Sequence, residues 1–242
     1  IGGMSFQPSE IAKICYIFAG AATLERLFHK RNLTLFIVLT GVCIGLLGLM
    51  SDFGTAAIFF VTFLVIAYMR SGDFATLSLI CGGAVFGAGI ILKFKPYILS
   101  RFASWGHAWE FASTTGYQQT RAMMCIASGG LLGLGGGNGW LKYVAASDTD
   151  LVFATVSEEW GLLIALMMVL AVVCLGAFVV RSAAVGRSSF YTIGACAAIS
   201  ILMVQTILNV MGTVDLLPLT GVTFPFVSNG GSSMISAWGL LA

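Results

Sequence analysis

Long apolar segments alternate with short polar ones along this chain. The apolar segments run over 11–24, 34–50, 55–68, 74–92, 162–180, 190–211 and 222–242. Because a membrane-spanning helix needs about 20 mostly apolar residues, the pattern predicts about seven such helices. The first three segments are shorter, so we expect kinks, or polar ends whose Lys and Arg side chains snorkel, to complete them. The last segment is broken by Pro225 and by Gly230 and Gly231.

One polar region, 93–160, is too long for a simple connection. Loops beyond about 15 residues are usually functional or disordered. This region contains Trp105, Trp109, Tyr117 and Trp140, which a disordered segment would lack. We therefore expect the loop to fold back onto the membrane face, with amphipathic pieces in the interface.

The composition supports a membrane environment. Of 242 residues, 58% are hydrophobic and only 9% are charged, against roughly 25% charged in a soluble domain. So few charges cannot cover a soluble surface, and most of the solvent must be lipid. The predicted fold class is all-α: a polytopic membrane protein forming one transmembrane domain over 1–242. Since the chain starts without Met and ends in an apolar segment, we expect it to be a fragment cut at both ends.

Charges between the apolar segments are sorted by side. One side carries Arg26, Lys30, Arg31, Arg70, Arg181 and Arg187, with only two of the ten acidic residues. Lys and Arg in short loops mark the cytoplasmic side of a membrane protein. The loop 93–160 is therefore predicted to be extracytoplasmic.

Several features that often carry chemistry give no such signal here. The six cysteines form no CxxC pair and lie mostly in apolar stretches, so we interpret them as core residues rather than disulfides or metal ligands. His29 and His107 lack metal-ligand spacing. The glycine run 129–139 lacks the Gly-Lys-Ser/Thr end of a phosphate-binding loop. It is either a flexible turn or backbone packed close to a ligand or membrane surface.

Three ionisable residues lie at the predicted membrane entrance. Glu10 and Lys13 are spaced i, i+3 after a helix start at Pro8, so they share a face and could simply pair. Ionisable residues at membrane depth are also functional candidates by default. Asp52 lies between two apolar segments and is either the N-cap of a helix starting near Thr55 or a member of a site.

Two acidic residues end the long loop. Asp148 and Asp150 precede a helical pattern that starts at Leu151, and acids are favoured at a helix N-terminus. The alternative is that Asp150 is a general base at the mouth of a lipid-facing cavity. The segment 225–233 puts broken backbone at membrane depth, which is tolerated only where it is buried in protein or lines a cavity. It could pack helices closely, line a ligand site, or do both.

Seven short motifs occur in order, with apolar spans between them. They are FQPSEIAK (6–13), DFGT (52–55), GYQ (116–118), ASGGL (127–131), TDLVFA (149–154), EEWG (158–161) and PFVSNGGSS (225–233). Each motif alone is weak, but the ordered set covers nearly the whole chain. In this set the chain resembles the SEDS family (shape, elongation, division and sporulation), the RodA, FtsW and SpoVE type of cell-wall polymerases.

The resemblance implies a function and a location. Complete members have ten membrane-spanning helices, of which this chain would hold the fourth to the tenth. The family polymerises lipid II, a disaccharide-pentapeptide on undecaprenyl pyrophosphate, as an inverting glycosyltransferase in the bacterial cytoplasmic membrane. The active site would lie on the extracytoplasmic face. The implied partners are lipid II, a class B penicillin-binding protein and the lipid bilayer, with no nucleic acid.

The resemblance also assigns site residues. The family's essential loop Asp falls on Asp150, which would be the catalytic base. The expected substrate-binding residues are Lys13, Glu10, Arg101, Arg121, Gln118, Ser232 and Ser233. Lys13, Arg101 and Arg121 would hold the leaving pyrophosphate, a role that a divalent cation (Mg²⁺ or Mn²⁺) could share.

Two positions depart from the family pattern. Many members have His where Asp148 stands and Tyr where Asn229 stands. We expect Asp52 and Asp148 to be structural or cavity-lining. The Asp148 carboxylate and partial desolvation are both expected to raise the pKa of Asp150.

Two other functions share some of these features. A flippase or transporter for lipid-linked precursors would also have broken helices and intramembrane charges, although the chain shows no clear inverted repeat. A non-catalytic scaffold for a penicillin-binding protein would leave Asp150 dispensable.

Overall fold

The structure is a computed structural model, and it describes residues 7–25, 30–94, 105–186 and 188–242. These residues form nine α-helices, one short 3₁₀ helix and no strand, so the all-α prediction is confirmed. The helices are α1 (Pro8–Glu25), α2 (Lys30–Leu49), α3 (Phe53–Ser71), α4 (Phe74–Phe94), α5 (Tyr117–Gly129), α6 (Val152–Glu159), α7 (Leu162–Val185), α8 (Ser189–Thr213) and α9 (Gly231–Leu241), with the 3₁₀ helix at Leu141–Tyr143.

A helix overlaps each of the seven predicted apolar segments, and most of these helices extend a few residues beyond the predicted bounds. Within the described residues, α3, α7 and α8 are long and apolar enough to cross a membrane, judged by length and composition. Shorter apolar stretches of Thr34–Leu49 and Leu77–Gly87 lie in α2 and α4. The chain is therefore a polytopic α-helical membrane protein.

The helix α8 lies at the centre of the bundle and packs against α1, α3 and α7. Aromatic rings fill the space between α1, α2 and α3, where Tyr16 stacks on Phe36 with 5.2 Å between ring centroids. The Tyr16 hydroxyl forms a 2.7 Å hydrogen bond with the Thr40 hydroxyl, so its polar end is satisfied inside the bundle.

The last apolar segment, 222–242, is broken as predicted. Helix α9 starts only at Gly231, after Pro225 and Gly230. Residues 214–230, which we call the α8–α9 segment, are not helical. Pro225 cannot continue a helix ladder, and Gly221 and Phe226 adopt left-handed φ values of 70° and 64°. The segment packs against the start of α3, where a Cβ atom on Gly54 would lie 2.9 Å from the Thr220 side chain.

Residues 105–161 form a second layer, which we call the loop layer. It contains α5, the 3₁₀ helix and α6, packed around Ala122, Leu141, Leu151 and Ala154. Gln119 attaches it to the bundle, since its side-chain amide donates a 2.9 Å hydrogen bond to the Gly212 carbonyl at the end of α8. The long loop is therefore folded against one end of the bundle.

The glycine run 129–139 packs closely against other backbone of the protein. Its backbone packs against the residues that join α6 to α7: the N–H groups of Leu134 and Gly135 donate to the Glu158 and Glu159 carbonyls, each at 2.9 Å. A Cβ atom on Gly129 or Gly133 would collide with backbone of 157–161. The glycines permit a close approach of two backbones within the protein.

The Glu158 side chain completes this arrangement. It is buried, and its carboxylate accepts hydrogen bonds from the backbone N–H groups of Trp140 (2.8 Å) and Leu141 (3.0 Å). Hydrogen bonds from backbone N–H groups to a carboxylate are stronger than those between neutral groups. Here the two bonds fix the backbone just after the glycine run.

Candidate active site

Asp150 lies in a tight turn just before α6. The N-cap of α6 is Leu151, without a side-chain capping bond, and the first turn of α6 contains no acidic residue. The alternative that Asp150 serves as a helix cap is therefore wrong. Its backbone is held locally, because the N–H groups of Thr149, Asp150 and Leu151 all donate to the Ala146 carbonyl, at 3.3, 3.0 and 3.2 Å.

The Asp150 carboxylate lines a cavity of about 310 Å³ between the loop layer and the α8–α9 segment. The lining residues are Trp105, Thr115, Gln118, Gln119, Asp150, Pro218, Leu219, Thr220 and Gly221. Gly221 forms the wall opposite the carboxylate, since a Cβ atom there would lie 3.3 Å from Asp150 Oδ2. Its φ of 70° is also one that glycine adopts most readily. Because Gly221 has no side chain, space remains beside the Asp150 carboxylate.

Burial raises the pKa of Asp150 above its ordinary value, and the Thr149 hydroxyl partly opposes this by hydrogen bonding to the charged form. The Asp148 carboxylate, which we expected to raise the pKa of Asp150 as well, does not contribute to it. Asp148 is exposed to solvent. A carboxylate with a raised pKa accepts a proton more readily than an ordinary aspartate, as a general base requires.

Of the predicted binding residues, Gln118 shares the cavity with Asp150. Its side-chain amide donates a 3.0 Å hydrogen bond to the Ala145 carbonyl, which ties α5 to the turn that carries Asp150. Arg121 follows one turn later on α5, exposed, with its guanidinium 5.3 Å from the Tyr117 ring centroid. It does not line the cavity. Arg101 lies outside the described residues.

Glu10 and Lys13 form a buried ion pair on α1, with 2.8 Å between Lys13 Nζ and Glu10 Oε2. Their predicted pairing is confirmed. Helix α9 packs beside them, where the Ser236 hydroxyl donates to the Glu10 carbonyl at 3.2 Å. Neither residue lines the Asp150 cavity. The pair therefore forms a separate polar centre inside the bundle.

Ser232 and Ser233 lie in the first turn of α9 and also do not line the Asp150 cavity. The Ser233 hydroxyl donates a 3.0 Å hydrogen bond to the Gly230 carbonyl. Asn229 connects this region to the loop layer, because its backbone N–H donates to the Asp148 carbonyl at 2.8 Å.

Asp52 is the N-cap of α3. Its carboxylate accepts a 3.1 Å hydrogen bond from the Thr55 N–H, and it also attracts the Lys13 ammonium. The predicted capping role is confirmed.

We expect Asp52→Ala to lower the free energy of unfolding by about 0.5–2 kcal/mol, because the Thr55 N–H loses its acceptor. Asp52→Asn keeps a capping oxygen without the charge, so it should cost much less. Thermal unfolding of the purified protein in detergent measures both. If both variants lost the same free energy of unfolding, the attraction of Asp52 to Lys13, rather than the cap, would be what stabilises the folded protein.

Comparison with known proteins places this geometry in a family. A family model for FtsW, RodA and SpoVE, described as cell cycle protein, matches residues 1–242. The chain belongs to the FtsW/RodA/SpoVE family. It is 33% identical over 268 residues to a probable peptidoglycan glycosyltransferase FtsW of Bacillus subtilis, covering 100% of this chain and 65% of that protein. It is 30% identical over 260 residues to the peptidoglycan glycosyltransferase RodA of Mycobacterium tuberculosis, covering 99% of this chain and 55% of that protein. The chain thus spans between about half and two thirds of the length of these relatives.

Two solved structures share the fold. One belongs to a peptidoglycan synthase complex that coordinates polymerization and crosslinking; it has a TM-score of 0.76 and 24% identity, over 100% of this chain and 69% of the other. The second is a mutant of the rod shape determining protein RodA of Thermus thermophilus, with a TM-score of 0.65 and 23% identity, over 100% of this chain and 65% of the other. The FtsW/RodA/SpoVE fold therefore extends over the whole chain.

The cavity of this family member does not fit a dedicated divalent cation site. Around it, within the described ranges, Asp150 is the only carboxylate, whereas Mg²⁺ and Mn²⁺ favour several oxygen ligands. The part of the chain that the structure describes also contains no cluster of three His, Cys, Asp or Glu side chains that could hold a metal ion.

Three buried polar residues around Asp150 were not predicted from the sequence. They are Gln119 in the cavity wall, Asn209 on α8 and Ser228 in the α8–α9 segment. A signal existed for Asn209, since it is a polar residue within an apolar span and such residues are functional candidates. No periodicity marks Gln119 or Ser228, because both lie in irregular or short elements.

Proposed function

We propose that this protein is a peptidoglycan glycosyltransferase that polymerises lipid II, with Asp150 as its general base. The observation that carries the proposal is the raised pKa of a half-buried carboxylate in a cavity at one end of the membrane bundle. A lipid-linked sugar presents its hydroxyl groups at this depth, beside the end of the spans. Family membership supports the same activity.

The reaction assigned to this site is glycosyl transfer with inversion. The acceptor sugar hydroxyl gives its proton to the Asp150 carboxylate, and its oxygen attacks the anomeric carbon of the donor. As the new C–O bond forms, the bond to the lipid pyrophosphate breaks, and its electron pair leaves with the pyrophosphate oxygen. General-base assistance of this kind typically contributes about 10²–10⁴-fold.

The chemistry of the cavity favours the acceptor sugar over the pyrophosphate. Of the residues described around it, only Asp150 is charged, and its charge would repel a phosphate. The half-buried Gln118 side chain and the exposed Thr115 hydroxyl offer hydrogen bonds to sugar hydroxyl groups. Trp105 adds an aromatic surface, as is usual in ligand sites.

The leaving pyrophosphate then needs a cation outside the cavity. Arg121 is placed for this role, because it is exposed one turn from Gln118 on the same helix. Lys13 is already paired with Glu10, which reduces its availability for phosphate. Arg101 remains a candidate, since a guanidinium binds phosphate well. A class B penicillin-binding protein, which cross-links glycan strands, is the partner that family membership implies.

The decisive experiment uses purified full-length protein, its penicillin-binding partner and lipid II. We expect glycan strands from the wild type, and a rate about 10²–10⁴-fold lower from Asp150→Asn. Strands formed equally by both would support a scaffold with a polymerase elsewhere. Movement of lipid II across vesicles without strand formation would support a flippase instead.

The orientation in the bacterial cytoplasmic membrane is a separate prediction. Sorted Lys and Arg residues place the α3–α4 connection inside and the loop layer outside. In a background without the native cysteines, Ser113→Cys should react with an impermeant thiol reagent added to whole cells, and Arg70→Cys should not. Both positions are exposed in the fold, so only the membrane should separate them. The opposite labelling pattern would contradict an extracytoplasmic site.

A further inference from the structure

Three consecutive carbonyl groups attach the Asp150 turn to the rest of the protein. The Asp148 carbonyl accepts from the Asn229 N–H at 2.8 Å. The Thr149 carbonyl accepts from the Ser228 hydroxyl at 2.6 Å, and the Asp150 carbonyl from the Asn209 side-chain amide at 2.9 Å. Two of these three donors are side chains, so the attachment depends on residue identity and can be tested by mutation.

Asn209 joins three parts of the fold at one point. It lies on α8 with 1% of its surface exposed, and its amide nitrogen donates both to the Asp150 carbonyl and to the Val222 carbonyl, at 2.9 and 2.8 Å. The opposite orientation of the amide would place its oxygen against two carbonyl oxygens, which is repulsive. The Asn209 carboxamide is therefore held in one orientation by the two backbone carbonyl groups that it connects.

Asn209 also has an unused group. Its side-chain oxygen is buried and has no hydrogen-bond partner among the described residues, although burying an unpaired polar atom carries a free-energy cost. An aliphatic side chain would avoid that cost but could not hold the two carbonyls.

Ser228 connects the α8–α9 segment to Thr149, the residue before Asp150. It is 1% exposed, and its hydroxyl accepts a 2.8 Å hydrogen bond from the Phe224 N–H while donating to the Thr149 carbonyl. The α8–α9 segment, which also supplies Gly221 opposite the carboxylate, is thereby fixed to the residue before Asp150. The Ser228 hydroxyl therefore joins the two walls of the cavity.

We propose that Asn209 and Ser228 are positioning residues for the reaction at Asp150. They hold the backbone of Thr149 and Asp150 against α8 and the α8–α9 segment. This keeps the Asp150 carboxylate beside Gly221, where it faces the acceptor hydroxyl bound in the cavity. This inference rests on the proposed function. The turn is otherwise held by its own bonds to the Ala146 carbonyl and by the Gln118 and Thr155 side chains, which donate to the Ala145 and Ser147 carbonyls before it. A misplacement of about 1 Å at a reacting group can reduce a rate about 10²-fold.

The test compares matched pairs of variants in the lipid II polymerisation assay. Ser228→Ala is matched by Ser157→Ala, because Ser157 is 0% exposed and donates within its own helix to the Phe153 carbonyl. Asn209→Leu is matched by Thr206→Val, because Thr206 is 4% exposed on the same helix and donates to the Leu202 carbonyl. The controls remove equally buried polar groups without touching the Asp150 turn.

We expect Asn209→Leu and Ser228→Ala to lower kcat by about 10–100-fold with KM within about twofold. The acid limb of the pH profile should move towards lower pH, because a loosened turn exposes Asp150 to water and lowers its raised pKa. Ser228→Thr keeps the hydroxyl and should restore most of the rate. The two controls should retain kcat and the pH profile of the wild type.

A double-mutant experiment separates positioning from folding. In the Asp150→Asn background, Asn209→Leu should cause no further loss of the residual rate, because the group that it positions is gone. Unchanged kcat and pH profile in the folded fraction of both single variants would overturn the proposal, as would equal losses in the Asp150 and Asp150→Asn backgrounds. Wild-type protein that forms no glycan strands would instead overturn the proposed function and this inference with it.

Discussion

Asp150→Asn is expected to reduce the polymerisation of lipid II by about 10²–10⁴-fold, the usual contribution of a general base. The amide keeps the shape of the side chain but cannot accept the proton of the acceptor hydroxyl. Glycan strands formed from lipid II by the purified protein give the measurement. Lipid II binding and the amount of protein in the membrane should stay at wild-type levels, because the cavity and the turn are retained.

The pH dependence of the wild type follows from the same carboxylate. The base works only when ionised, and burial raises the pKa of Asp150 above its ordinary range. The rate should therefore fall as the pH drops through a value above the ordinary pKa of an aspartate. This acid limb should be absent from the residual activity of Asp150→Asn.

Stability provides the control for that variant. The folded protein holds a proton on Asp150 more tightly than the unfolded chain does, so ionised Asp150 lowers stability as pH rises through its raised pKa. Asp150→Asn removes this cost and should unfold at the same temperature as the wild type or higher. Asp148→Asn should reduce the polymerisation rate only slightly, since Asp148 is exposed and does not contribute to the raised pKa of Asp150. Substantial polymerisation by Asp150→Asn would exclude the general-base role.

Gly161→Ala is expected to lower the free energy of unfolding by about 2–4 kcal/mol, from backbone strain and overpacking together. Gly161 has φ 91° and ψ 156°, a region that only glycine occupies readily. A Cβ atom there would also collide with the backbone of Leu131 and Leu132. Thermal unfolding in detergent and the yield of folded protein would show the effect.

Gly137→Ala separates the two causes. Gly137 also has a positive φ, of 79°, but a Cβ atom on it would meet nothing within 4 Å. We expect a loss of about 1 kcal/mol at this position, from backbone strain alone. If Gly161→Ala cost no more than Gly137→Ala, the close packing of the glycine run against 157–161 would not contribute to stability.

Local chemistry explains which parts of the site could be predicted from the sequence. Asp52 caps α3 through Thr55, three residues away, and Glu10 pairs with Lys13 at the same spacing. Both contacts follow from helix geometry, which brings residues three or four apart together. The motif that contains Asp150 could also be recognised, although its spacing alone left open whether that residue was a helix cap.

Long-range contacts explain what could not be predicted. Asn209 is 59 residues from Asp150 along the chain, and Ser228 is 79 residues from Thr149. Gln118 and Gln119 are adjacent and chemically equal, yet Gln119 is the one buried against α8. No periodicity encodes such contacts, because they join a turn and an irregular segment whose mutual position depends on how whole helices pack.

The sequence by itself determined the all-α membrane fold, the positions of the apolar helices and the family. These follow from composition and local pattern, because in lipid the backbone must satisfy its own hydrogen bonds and a helix does so within one segment. The tertiary structure decided that Asp150 faces a cavity instead of capping α6, and that Lys13 lies outside that cavity. It also decided that the glycine run packs against protein backbone. These outcomes depend on which distant backbone groups meet once the helices are packed, and a linear pattern carries no record of that.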